Sequence, residues 1–250
     1  LVRSRGLGDV YKRQVFYSHP DCRLHDMGPG HPECPQRLDA ITDHLLATGL
    51  DIALQHMDAP MATIEQLQRA HSAGYVMQLK ELLEQVRDSG QPKALDPDTL
   101  ACPGTWHAAL RAAGAAVAAT DEVVAGRARN AFCAVRPPGH HATRDETMGF
   151  CFFNNVAVAA RHALDAHGLQ RAAIASSNAS TGNSTPSITP SPNQIDPGCA
   201  SRPRSSRTST QATARHRTTT AASGSTVGRS RESTSSPSSS VDIARVMACR

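Results

Sequence analysis

Two adjacent histidines, His140 and His141, follow Arg136-Pro137-Pro138-Gly139 and precede, nine residues on, the run Phe150-Cys151-Phe152-Phe153-Asn154-Asn155. Two prolines and a glycine keep that turn out of a helix, so one short loop presents two imidazoles that titrate near neutrality. Such a pair is equipment for general acid/base catalysis. The apolar run Ala131-Phe132-Cys133-Ala134-Val135 reads as a strand leading into it. That places the pair at the carboxyl end of a strand, where open α/β sheets bind their ligands. Cys133 and Cys151 read as small buried fillers rather than nucleophiles.

The elements that must position this loop are legible from spacing. Pro35 opens an amphipathic helix carrying Leu38, Ile41, Leu45 and Leu46 on a core-facing stripe. Thr63 with Gln66 makes a capping-box pattern ahead of a second helix. An alanine-rich run from Thr105 to Ala125, stopped at Gly126, predicts a long packed helix feeding the Phe132 strand. Asn155 to His167, before Gly168, predicts the next helix, and Arg171-Ala172-Ala173-Ile174 the start of the next strand. This alternation predicts an α/β protein with a mostly parallel sheet covered by helices on both faces.

At these residues the chain resembles the zinc-dependent histone deacetylase superfamily, which includes acetylpolyamine amidohydrolases and bacterial histone-deacetylase-like amidohydrolases. The resemblance rests on Arg136 to Ala142 and Gly149 to Asn155. Gly30-His31-Pro32-Glu33-Cys34-Pro35-Gln36-Arg37-Leu38, Arg69-Ala70-His71-Ser72 with Tyr75, and the rim-loop stretch Leu95-Asp96-Pro97-Asp98-Thr99 agree with it. It covers roughly residues 15 to 174. The resemblance implies a three-layer arginase-deacetylase fold, incomplete here, and hydrolysis of an acetyl-lysine, acetylpolyamine or related amide by zinc-activated water. It further implies that His140 and His141 share proton handling and that Phe150 lines the acyl channel. It implies, too, that Gly149 brings backbone close to the substrate, that Asp98 holds the substrate's backbone or amine, and that Arg37 lies in the interior behind the site.

The strand after Arg171 departs from the family pattern Val-Asp-x-Asp-x-His-His-Gly-Asn-Gly-Thr. Here it reads Ala175-Ser176-Ser177-Asn178-Ala179-Ser180-Thr181-Gly182-Asn183-Ser184-Thr185. With Gly182, Asn183 and Thr185 in register, the two metal-ligand positions fall on Asn178 and Ser180 and the orienting carboxylate on Ser176. Asn183, opposite His141, matches the asparagine of several family members. A neutral amide and a hydroxyl replace a carboxylate and an imidazole, and the third ligand, expected later in the chain, is absent. Zinc is therefore the cofactor expected of the family and not of this chain, which is read as inactive. The competing reading is a non-catalytic fragment or an arginine/serine-tailed binding protein.

Both ends differ in composition from the middle. Residues 175–250 hold no Phe, Tyr or Trp, are dominated by Ser and Thr, and carry nine arginines without a lysine. Such a segment cannot bury a core and is expected to be disordered, the product of a degraded or frameshifted reading of GC-rich coding DNA. Ser4 to Gly8 and Asp9 to Gln14 back-translate to a transposase adapter used in preparing sequencing libraries, so residues 1–14 are set apart from the fold. The formal net charge of +4 belongs to these ends, since residues 15–174 hold 13 Lys and Arg against 18 Asp and Glu. No nucleic-acid or membrane partner follows from it; the expected partner is an acetylated amine or acetyl-lysine. Seven cysteines without a C-x-x-C motif argue for a reducing compartment, read as the cytoplasm. Oligomeric state leaves no signal in the sequence.

Overall fold

Alanine has the highest helix propensity and the smallest chiral side chain, so a long alanine-rich helix can pack closely on two sides at once. The computed structural model describes residues 14–174 and the backbone of residues 246–248. The expectations placed on residues 1–13 and on Ser176, Asn178 and Ser180 lie outside those described. In chain order the elements are β1 (Gln14–Ser18), α1 (Gln36–Ala47), β2 (Leu54–Asp58), α2 (Ile64–Gln68), α3 (Ala73–Ser89), β3 (Lys93–Asp96), β4 (Thr99–Ala101), α4 (Thr105–Val124), β5 (Asn130–Cys133), α5 (Asn155–Asp165) and β6 (Val246–Ala248).

The main sheet has the order β2-β1-β5-β6, and every pairing in it is parallel. β1 is central and starts at Gln14, opposite Leu54 and Asn130, one residue inside the segment set apart above. β3 and β4 form a separate antiparallel hairpin. α4 serves two cores. Its Ala112, Ala115 and Ala119, spaced at helical repeat, join Val15, Phe16, Tyr17, Ala131 and Cys133 of the sheet in one buried cluster. Trp106, Ala109, Leu110, Ala113 and Val117 join α3 and α5 residues with Phe152 and Phe153 in the other.

The predicted alternation of strand and helix and the parallel sheet are what the structure shows. The Thr63–Gln66 capping box is complete, with both reciprocal hydrogen bonds present. Four expectations need correction. Leu46 is 59% exposed, so the α1 stripe reaching the core is Leu38, with Ile41 and Leu45 partly buried beside it. β5 ends at Cys133, although Ala134 and Val135 stay buried. α5 ends at Asp165 instead of His167, because Gly168 at φ 65° turns the chain and Leu169 N–H donates to Ala163 O. Arg171–Ile174 is not a strand: an extended segment becomes one only against a neighbour, and the edge of β5 is paired with β6 instead.

Gly114 marks where α4 is approached most closely. A Cβ there would lie 2.0 Å from Pro60 O and 2.7 Å from Ala62 N, where the chain crosses the helix and Ala62 N–H donates to Leu110 O. Gly114→Ala is expected to destabilise the protein by about 1–3 kcal/mol through overpacking. This exceeds the roughly 1 kcal/mol that alanine gains over glycine in a helix. Urea unfolding reads the difference, and unchanged or raised stability would show that the crossing chain yields freely.

Candidate active-site loop

A guanidinium carries five N–H donors in a fixed fork, and burying one is tolerable only if each donor is met. Arg136, the first residue of the turn before the histidines, is 1% exposed and meets that requirement. Its Nε and Nη2 donate to the two carboxylate oxygens of Glu33 at 2.5 and 2.6 Å. Nη2 also reaches Glu33 O at 3.3 Å, and Nη1 donates to Cys22 O and His25 O at 3.0 and 2.7 Å. Cys22 lies in a short 3-10 helix (Pro20–Arg23) and His25 just beyond it, both after β1, and Arg136 lies in the loop after β5. One side chain therefore joins the loops leaving the carboxyl ends of two neighbouring parallel strands. Arg37, expected in the interior, is instead partly exposed, with Nη1 3.2 Å from Glu33 Oε1. The interior guanidinium is Arg136, which shares the same carboxylate; the motif contained it, but nothing in spacing distinguishes the two arginines.

From Arg136 the chain runs through a cis Arg136–Pro137 peptide to His140 and His141, both exposed, with ring centroids 4.1 Å apart. The turn is held from beneath by the two asparagines that open α5. Asn154 Nδ2 donates to Ala142 O at 3.0 Å, while its Oδ1 caps α5 by accepting from Ala157 N–H at 3.0 Å. Asn155 Nδ2 reaches Pro137 O at 3.4 Å. Gly139 admits this packing, since a Cβ there would lie 2.4 Å from Phe153 O and 2.6 Å from Asn155 N.

The Arg69-Ala70-His71-Ser72 segment clamps the same loop from its other side. His71, 1% exposed, accepts from Asn154 N–H at 2.9 Å through Nε2, and its Nδ1–H donates to Arg144 O at 3.3 Å. That pairing requires the neutral ring, and burial holds His71 below the usual histidine range despite the hydrogen bonds that oppose the shift. Tyr75 O–H donates to Phe152 O at 2.5 Å.

Gly149 and Phe150 both have positive φ, 55° and 70°. Phe150 is the one non-glycine residue among those described in that sterically costly region, and such residues cluster at ligand sites. A Cβ on Gly149 would stand 3.0 Å from His141 Cδ2, so this backbone lies directly against the imidazole. Phe150 N–H donates to Thr99 Oγ1 at 3.0 Å, which ties the loop to the β3–β4 hairpin. Asp98 sits exposed at the hairpin tip, its N–H bound to Asp96 Oδ1 at 2.8 Å. The structure thus gathers His141, Gly149 and Phe150 at one place and links the Asp98 hairpin to it through Thr99. Sequence reasoning missed His31, whose ring meets Phe150 edge-on at 4.7 Å, and Thr99; the stretches containing them were recognisable, but not their contacts.

Two exposed imidazoles in contact can accept a proton from water on one side and deliver one to a leaving group on the other. Cys133 and Cys151 are unsuited to nucleophilic attack. Burial pushes the Cys133 thiol up to about 12 and the Cys151 thiol up to about 11, the latter despite opposing hydrogen bonds from the backbone of His141 and Ala142. Among the described residues, the single group of three metal-ligating side chains with converging atoms is Asp121, His162 and His167, and it does not include the histidine pair.

Comparison with known proteins places these residues in a family. The histone deacetylase domain family matches residues 31–196. The chain is 37% identical to a histone deacetylase-like amidohydrolase of Pseudomonas aeruginosa over 194 residues, 71% of this chain and 50% of that protein. It is also 37% identical to the polyamine deacetylase HDAC10 of Rattus norvegicus over 169 residues, 66% of this chain and 27% of that one. The crystal structure of the HDA15 HD domain aligns with a TM-score of 0.59 at 30% identity, covering 65% of this chain and 45% of that structure. The chain thus spans half or less of each of these three proteins.

Two measurements test the buried polar frame. Glu33→Gln leaves the Arg136 guanidinium buried without its counter-charge and is expected to cost about 3–5 kcal/mol in denaturant unfolding. A loss under 1 kcal/mol would mean that water reaches Arg136. The second is a pH dependence set by His25, fully buried, whose ring is pushed down to about 3, first by burial and then by the Arg136 charge. Unfolded, this ring takes up a proton below about 6.5, whereas the folded one stays neutral. Its contribution is therefore complete above pH 6.5 and is lost towards pH 3, at about 1.4 kcal/mol per pH unit. Stability at pH 5 should fall about 2 kcal/mol below that at pH 7 on account of this ring. A His25→Gln variant with an unchanged pH slope would refute the assignment.

Proposed function

The chain belongs to the histone deacetylase family, and from that premise we propose that residues 136–155 carry the proton-transfer half of a deacetylase site acting on an acetylated amine, acetyl-lysine or acetylpolyamine. Relatives named as a polyamine deacetylase and as an amidohydrolase support this substrate class. The observation that carries the reading is the contact between Gly149 and the His141 ring, which sets Phe150 beside two exposed imidazoles. One histidine accepts the proton of the attacking water, and the other delivers a proton to the departing amine. The acyl-bearing alkyl chain lies against Phe150, Gly149 lets backbone approach it, and the Asp98 carboxylate holds the substrate's backbone or amine. Five free cysteines among the described residues agree with a reducing, cytoplasmic setting. No helix among the described residues is long and apolar enough to cross a membrane.

The family is generally zinc-dependent, and the residues here do not fit that metal. In-register ligand positions fall on Asn178 and Ser180, with Ser176 in place of the orienting carboxylate. An amide and two hydroxyls supply neither the anionic charge nor the imidazole that zinc requires. As written, the chain is a non-catalytic member of the family, with residues 175–250 a degraded or frameshifted segment.

A repair experiment tests both halves of this reading. The unaltered chain should show no hydrolysis of an acetyl-lysine peptide or an acetylpolyamine in the presence of zinc. Ser176→Asp, Asn178→Asp and Ser180→His, joined to a family-like sequence after residue 190, should restore turnover. His141→Ala in that repaired protein should then lower turnover by roughly 10²–10⁴-fold with bound zinc retained. Full activity in the last variant would remove the histidine pair from the mechanism, and activity of the unaltered chain would overturn the inactive reading.

A further inference from the structure

Away from the active-site loop, the carboxyl ends of α4 and α5 bring a second set of functional side chains together. His162, in the last turn of α5, and His167, just beyond it, both direct Nε2 at Asp121 Oδ1 in the last turn of α4, each at 2.6 Å. Their rings meet edge-on at 5.2 Å. The three candidate donor atoms lie within 4.8 Å of one another. We infer that Asp121, His162 and His167 form a binding site for a divalent transition-metal cation such as zinc, independent of the deacetylase site.

Two imidazoles and a carboxylate with room for one water make a donor set suited to zinc and its neighbours among the late first-row metals. The site is graded in exposure: the His162 side chain is 8% exposed, His167 25% and Asp121 39%. The buried histidine supplies rigidity, and the open side leaves space for entry and for a water ligand. Both helices point their carboxyl ends here, so the partial negative charge of two helix termini adds to that of Asp121.

Tetrahedral coordination with metal–ligand bonds of about 2.0 Å separates the donor atoms by roughly 3.3 Å. Each 2.6 Å contact must then open by about 0.7 Å, and His167, outside the helix, is placed to move. On binding, each ring exchanges the Nε2 proton it shares with Asp121 for the metal and carries its proton on Nδ1. Half-buried Arg69 now donates to His162 Nδ1. It must turn towards solvent, which weakens the site without closing it.

Equilibrium dialysis of the full chain against zinc, with thermal unfolding of the same samples, tests this. One zinc per chain and a zinc-dependent rise in Tm are expected. His167→Gln alters a side chain beyond the helix end, so the fold should persist by circular dichroism while affinity falls at least about 10-fold and the Tm rise disappears. The paired variant His140→Ala/His141→Ala should bind zinc as the unaltered chain does. Cobalt in place of zinc should show ligand-field bands with no thiolate-to-metal charge transfer. Unchanged binding in His167→Gln, loss of binding in the His140/His141 variant, or a thiolate band would each overturn the site. None of these outcomes depends on deacetylase turnover.

Discussion

The buried ion pair between Arg136 and Glu33 is the constraint around which the described fold is organised. A guanidinium taken out of water is stable only where every N–H finds an acceptor, and those acceptors come from two stretches far from Arg136 in sequence: Cys22 and His25 after β1, and Glu33 ahead of α1. Because the fork is planar and rigid, satisfying it sets the relative position of the loops at the carboxyl ends of β1 and β5. His140 and His141 come four and five residues after Arg136, so their placement inherits that geometry. His25 extends the same logic. Its ring sits beside the Arg136 charge with Nε2 lacking a hydrogen bond, 3.8 Å from Glu33 Oε2, and burial keeps it neutral.

A second frame, built from neutral polar groups, holds the far side of the loop. Asn154 and Asn155 bind Ala142 O and Pro137 O, His71 bridges Arg144 O and Asn154 N–H, and Tyr75 takes Phe152 O. Irregular backbone that is buried must find partners other than a ladder or a helix, and here each partner comes from a motif residue. The strained Phe150 backbone is paid for by this surrounding network. All of these partners lie between residues 71 and 155, within the described part of the chain.

α4 links the two regions. Its alanines pack against the sheet on one side and against α3 and α5 on the other, and its last turn places Asp121 beside His162 and His167. A helix with larger side chains on the sheet side could not sit so near β1 and β5. Closeness on both sides brings the carboxyl ends of α4 and α5 within reach of one another.

By itself the sequence determined the kind of protein this is. Residue period distinguished helix from strand, the capping box and Gly126 bounded helices, and Arg136 to Asn155 carried the family in consecutive residues, because each of these signals is local. The resemblance, read in register, also put Asn178 and Ser180 at its metal-ligand positions, where residue chemistry argues against zinc. Tertiary structure decided which arginine is interior, where Leu46 faces, and that Arg171–Ile174 is not a strand, since each depends on a partner far away in the chain. It alone showed that Thr99 fastens the Asp98 hairpin to Phe150, that His31 packs on the same ring, and that Asp121, His162 and His167 converge. Spacing constrains what lies on one face of one element, whereas contact between elements is settled by packing, by burial and by the demand that buried polar atoms find partners.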